Sequence, residues 1–345
     1  MKRLTTPLAT LLLAAASILA VPALAQEIGY TTSEPLMLPH DTFFGMAAGV
    51  ATNSKGNVFV YTRNGEPTVT LSGSRTFAHG GSSLYEFAPD GKFIRQIGTQ
   101  VYGFLAAQQV RVDSHDNIWV VDRYSSMVMK FDPAGRVVML LGRKPESVDV
   151  PSSPDTGRGT PPGSGAQSDL FQSPTDVAWD ADGNIFVADG IGNARVAKFT
   201  RDGVFVKSWG SRGADPGQFK TAHGIAVDAS GNVYVGDRGN NRIQVFDNNG
   251  TFKSSITTGG DPEAICITPG AHQYLFSSNS NPANDLDHGG EIYKLELSGT
   301  VVGKFGRAGK GPRDFGSVNA VDCRNPASLY VAEAGNWRVT KVDLH

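Results

Sequence analysis

Short stretches of alternating apolar and polar residues run along this chain from about residue 49 to its end, joined by turns rich in Gly, Asn and Asp. The stretch Thr175-Asp-Val-Ala-Trp-Asp-Ala-Asp-Gly-Asn-Ile-Phe-Val-Ala-Asp-Gly returns as His223-Gly-Ile-Ala-Val-Asp-Ala-Ser-Gly-Asn-Val-Tyr-Val-Gly-Asp-Arg, residue class for residue class. A period of two marks strands with two faces. Self-similarity over roughly 40–50 residues marks a repeat architecture. Opening strands are read at 49–52, 110–113, 176–179, 224–227, 264–267 and 320–323, and second strands at 58–61, 118–121, 185–188, 233–236, 274–277 and 329–332. Two more strands complete each unit, as at 195–200 and 204–209. This order predicts an all-β, six-bladed β-propeller with four-stranded antiparallel blades.

The last unit stops after its third strand, so the N-terminal segment 28–38 is expected to supply the missing outer strand and close the ring. Closure of that kind leaves no free edge between first and last blades. In the turns Asp182-Gly-Asn and Ser230-Gly-Asn, Gly and Asn are expected at positive φ, a structural requirement rather than a sign of ligands. One long insertion, 143–167, is rich in Pro, Ser, Gly and Thr. It reads as a flexible surface loop, long enough to cover a pocket mouth.

The first residues have a basic start, an apolar run at 11–21 and Ala23-Leu-Ala before Gln26. This is the pattern of a secretory signal peptide, residues 1–25, with residues 26–345 as one propeller domain. The run is shorter than the ~20 residues a spanning helix needs. A secreted or periplasmic protein with no membrane span after cleavage is the expectation. The formal charge of −2 offers no basic excess for nucleic acid, and 41 Gly with 19 Pro suit a turn-dense β chain. Cys266 and Cys323 fall on positions of opposite parity in their strands. That parity predicts two buried free thiols rather than a disulfide.

In a propeller the innermost strands line the channel. The residues just before them are Ala48, Gln108, Thr175, His223, Glu263 and Asn319. A second ring follows the second strands: Arg63, Arg123, Gly190 with Ile191, Arg238, Asn279 and Ala334. Three arginines near one axis call for an anionic partner, because unpaired buried charge is costly. That partner is either a ligand carboxylate or the chain's own Asp122, Asp237, Glu263 or Glu333. The other histidines do not recur at the rim, although His79, in a loop of the first blade, has a route to the pocket.

The repeats resemble NHL repeats, and the motif order from about Phe43 to the end resembles the peptidyl-α-hydroxyglycine α-amidating lyases. The motifs that carry this are Phe171-Gln-Ser-Pro-Thr-Asp-Val-Ala, Trp209-Gly with Pro216-Gly-Gln-Phe, and Asp237-Arg238 with Arg242-Ile-Gln. The resemblance implies a zinc held by one histidine from each of three alternate blades, a tyrosine base and two substrate arginines. His223 matches one histidine, and Arg63 and Arg238 match the arginines. Gln108 and Asn319 stand where the other two histidines belong, and Ile191 where the tyrosine belongs. Amide oxygens are poor ligands for zinc, so a Gln108, His223 and Asn319 set is not expected to hold it. Backbone carbonyls at the inner strands leave a structural calcium open.

Two readings follow. In one, a divergent lyase- or hydrolase-like protein binds a small carboxylate-bearing molecule or peptide in the channel. His223, Arg63 and Arg238 would be its catalytic residues, and Arg123, Gln108, Glu263 and Asn319 its substrate-binding residues. In the other, a non-catalytic propeller binds a ligand or a protein partner through its rim.

Overall fold

The structure is a computed structural model that describes residues 25–64, 68–71, 75–78, 81–143, 170–257, 259–281, 285 and 287–345. Nearly all of the expected leader, residues 144–167 of the insertion, and His79 lie outside the described residues. Six four-stranded antiparallel sheets stand around one axis. Their innermost strands are Met46–Thr52, Ala107–Val112, Asp176–Trp179, Ala222–Val227, Ile265–Ile267 and Val318–Asp322. A two-stranded hairpin, Thr68–Leu71 with Arg75–Ala78, interrupts the first blade between its second and third strands. Among the described residues no helix is long and apolar enough to cross a membrane.

Alternation explains why flat blades stack into a ring. In the strand Ile185–Asp189, Ile185 and Val187 join the core shared with the preceding blade, while Phe186 and Ala188 join the core shared with the next. The same division recurs around the axis, giving one apolar cluster at each of the six blade interfaces. Closure follows the expected route. Tyr30–Ser33 pairs antiparallel with Arg338–Leu344, Tyr30 opposite Leu344, and becomes the outer strand of the sixth blade. The N-terminal segment thereby holds the C-terminal blade.

Four of the six second strands end in a buried acid, Asp122, Asp189, Asp237 and Glu333, and three of these are locked in the same way. Asp189 accepts from Arg195 Nε at 2.9 Å, Asp237 from Arg242 Nε at 2.9 Å, and Glu333 from Arg338 Nε at 2.9 Å. Asn193, Asn240 and Asn336 add amide donors to the same carboxylates. These acids are therefore spent on the scaffold. Asp122 is also committed, to Tyr61 Oη and the backbone N–H groups of Leu105, Ala106 and Ser125.

Two expectations are corrected. Gly183 and Gly231 take positive φ, 83° and 81°, but Asn184 and Asn232 do not. Their amides instead donate to Asp180 and Asp228, whose carboxylates also accept the turn's backbone N–H groups. Cys266 and Cys323 are not free thiols; they form a disulfide, with Cα atoms 6.0 Å apart. Opposite parity separates side chains only within one sheet. Adjacent blades pack the front face of one on the back face of the next, so opposite parity at matching positions of the fifth and sixth blades brings two side chains into one interface.

Candidate functional site

A recurrent bulge aims the rim residues. Where the inner strand of the first, second, fourth and sixth blades begins, its pairing shifts register, skipping over Ala48, Gln108, His223 with Gly224, and Asn319. A bulged residue leaves the ladder and its side chain is turned out of the pleat. Here that direction is the channel. Gly190 lets the third blade come close to this point: a Cβ there would sit 1.6 Å from Ala222 O, beside His223.

The side chains form one hydrogen-bonded chain across the channel mouth. Arg63 Nε donates to Ala107 O at 2.5 Å, and its Nη2 donates to Gln108 Oε1 at 2.8 Å. With its oxygen facing Arg63, the Gln108 amide N–H points to His223 Nε2, 3.0 Å away across the axis. His223 Nδ1 lies 2.7 Å from Glu263 O, which can only accept. The proton therefore sits on Nδ1 and the lone pair on Nε2. Burial pulls the imidazole below its ordinary range, which holds it neutral.

On the far side, Arg238 Nη1 reaches Glu263 Oε1 at 3.2 Å and Nε reaches Asp261 Oδ2 at 3.3 Å. Glu263 Oε1 also lies 3.6 Å from His223 Nε2. Asp261 is the group sequence reasoning missed. Burial, with Glu263 nearby and against the pull of Arg238, raises its carboxyl to about 6. Its Oδ1 is buried without a hydrogen-bond partner among the described residues. The signal was available in Asp261-Pro-Glu263, a second acid two residues before a rim position.

The three arginines divide into two kinds. Arg238 is held by acids, as the scaffold reading anticipated through Glu263; Asp237 and Glu333 pair with Arg242 and Arg338 instead. Arg63 and Arg123 have no carboxylate within salt-bridge distance among the described residues; Arg123 stacks on Tyr124, 5.3 Å from the ring centre. Burial and then the proximity of Arg123 pull the Arg63 guanidinium down to about 10. Arg123 thus acts on Arg63 as a second cation nearby, while Asp122 and Glu263 act on it from beyond salt-bridge distance.

The implied zinc does not fit these residues. The Gln108 N–H covers the very lone pair of His223 that a metal would need. The Asn319 amide nitrogen donates to Ala48 O and, at 2.8 Å, to Gln108 O, tying three inner strands together. Ile191, half-buried, cannot carry a proton. No group of three or more His, Cys, Asp or Glu that could hold a metal is present among the described residues. Deeper in the channel Arg111 grips Asp176 at 2.6 Å and donates to Val321 O and Ile265 O. A guanidinium thereby occupies inner-strand carbonyls of the kind a calcium would use.

The NHL repeat family matches residues 219–246. Peptidyl-α-hydroxyglycine α-amidating lyase 1 of Drosophila melanogaster is 30% identical over 261 residues, 69% of this chain and 44% of that protein. Peptidyl-glycine α-amidating monooxygenase A of Xenopus laevis is 28% identical over 310 residues, 84% of this chain and 31% of that protein. This chain thus spans less than half the length of either relative. A solved gluconolactonase from Xanthomonas campestris shares the fold, with a TM-score of 0.56, 14% identity, and 88% of this chain matched to 87% of that one. The chain is an NHL propeller that resembles the amidating lyases.

Proposed function

We propose that the channel mouth binds a small carboxylate-bearing molecule, with the carboxylate between Arg63 and Arg123. The observation that carries this is the pair of guanidinium groups without an acid, beside an Arg238 that has two. A bidentate carboxylate supplies the missing charge in a partly desolvated place, where charge-assisted hydrogen bonds are strongest. The reaction that best suits the remaining groups is a lyase- or hydrolase-like step without zinc. A substrate that displaces the Gln108 amide meets the lone pair of His223 Nε2, a neutral base whose other nitrogen is fixed by Glu263 O. The imidazolium formed by proton transfer gains the Glu263 carboxylate as its partner.

One observation favours the second reading, a binding propeller without turnover. Both His223 nitrogens are already engaged, and no second base stands at position 191. The readings separate by experiment. Calorimetric titration with glycolate and lactate should show saturable binding that Arg63→Met and Arg123→Met abolish; no binding to wild type ends both. Turnover of a 2-hydroxy-acid amide panel that His223→Ala removes selects the catalytic reading. Binding without turnover selects the other.

For location, a secreted or periplasmic protein is our reading. It is supported by the leader-like N-terminus and by the Cys266–Cys323 disulfide, which persists in oxidising compartments.

A further inference from the structure

The inner strands run from the mouth described above to the opposite end of the channel. There, two to four residues beyond His223 along Ala222–Val227 and so about 7–13 Å away, lies a cavity of about 350 Å³ to which every blade contributes. That volume is within the range of small-molecule sites. Arg111 forms its floor and separates it from His223.

Its wall carries both an arginine and an acid. Several of the acceptors at and beside it are spent: Val112 O on Arg324, Thr268 O on Gln273, and the neighbouring Ile265 O and Val321 O on Arg111. The Asp322 carboxylate takes donors from Thr52 and from the Arg324 N–H. Donor capacity stays open at two side chains. Arg324 uses Nη2 on Val112 O, and its Nε and Nη1 have no partner among the described residues. The Thr268 hydroxyl accepts from Tyr274 N, which leaves its proton to give. Beside them lies a flat apolar surface, the half-buried Trp179, backed by Trp119 with ring centres 5.7 Å apart.

We infer that this second mouth is a separate binding site for a small aromatic carboxylate, its carboxylate on Arg324 and Thr268 and its ring on Trp179. The inference does not rest on the reading of the His223 mouth. Arg324 and Thr268 present unused donors side by side, one of them cationic, so an anion is preferred over an amine or an alcohol. The indole face and its apolar neighbours Val177, Ile225 and Ile267 favour a planar body over a chain.

Titration calorimetry with 2-naphthoate tests it, with 2-naphthamide as the uncharged control. Wild type should bind naphthoate at one saturable site and naphthamide at least about tenfold more weakly. Arg324→Met should weaken naphthoate at least about tenfold, by removal of the charge-assisted hydrogen bonds. Ala226→Phe, which fills the cavity without altering charge, should abolish binding. Arg63→Met, at the other mouth, should leave this affinity within about twofold, because Arg63 contacts Ala107 and Gln108 and no residue of the cavity wall. Should Arg324→Met fail to fold, the filling variant and the naphthamide comparison decide alone. Binding that survives Ala226→Phe, or is lost in Arg63→Met, or never saturates, overturns the proposal.

Discussion

Replacing Arg63 by methionine distinguishes an arginine kept for a ligand from one kept for the fold. Burial, then the neighbouring Arg123, moves the Arg63 guanidinium down from its ordinary range by more than two pH units, to about 10. Keeping it charged at neutral pH therefore costs the folded state about 3 kcal/mol. Methionine removes that cost and also the hydrogen bonds to Ala107 O and Gln108 Oε1, each worth about 1–2 kcal/mol for a charged donor. The effects nearly cancel. Arg63→Met should unfold in urea with a stability within about 1 kcal/mol of wild type. Arg195→Met is the contrast: that guanidinium and its partner Asp189 are both fully buried, and breaking such a pair costs about 3–5 kcal/mol. The pH dependence has a definite sign. A cation with a depressed folded value destabilises the native state by its full amount at pH below about 10, and that penalty is relieved progressively as pH rises from there toward the ordinary guanidinium value. Wild type should therefore gain on Arg63→Met only as pH rises beyond about 10, with no pH-dependent difference between them from this group below that. Carboxylate at a hundredfold its Kd should stabilise wild type by about 2.7 kcal/mol and the variant hardly at all. If Arg63→Met loses as much as Arg195→Met, or keeps the full carboxylate increment, the assignment of Arg63 to a ligand is wrong.

Asp261, raised from 3.8 to about 6 by burial and Glu263 against Arg238, favours its protonated form in the fold. Its contribution is complete below 3.8 and is lost as pH rises through 6, so wild type should lose up to about 3 kcal/mol between pH 4 and 7 that Asp261→Asn retains in urea titrations at each pH. Reduction of Cys266–Cys323, which closes a loop with a sequence separation of 57, should lower stability by about 4 kcal/mol, read as a shift in the urea midpoint with dithiothreitol. Because Arg111 already holds Val321 O and Ile265 O, a chelator should leave the melting curve of wild type unchanged, whereas Arg111→Met should cost about 3–5 kcal/mol by leaving Asp176 buried and unpaired.

Much of the fold was legible because each strand repeats one rule. Ile185, Phe186, Val187 and Ala188 distribute themselves to two interfaces by parity alone. The rim positions were legible too, since the repeat frame places Gln108, His223 and Asn319 at equivalent points. What the frame lacks is direction. It does not reveal the bulges that turn those side chains inward, nor that the Asn319 amide is used on backbone carbonyls. The same parity rule misled for the cysteines, because it describes one sheet and their bond joins two. Arg111, a charge inside the opening strand of the second blade, signalled a buried partner, but only the ring closure shows that it spans to the third, fifth and sixth blades.

The central claim is that a ligand carboxylate completes the charge at Arg63 and Arg123. A crystal soaked with 3-bromopropionate tests it most directly, because the bromine is located by anomalous scattering and the carboxylate lies two carbons away. The account predicts a peak at the His223 mouth, with the carboxylate in hydrogen-bond reach of both guanidinium groups. A channel mouth without that peak at saturating ligand, or a carboxylate seated on Arg238 with Asp261 and Glu263 displaced, would contradict it.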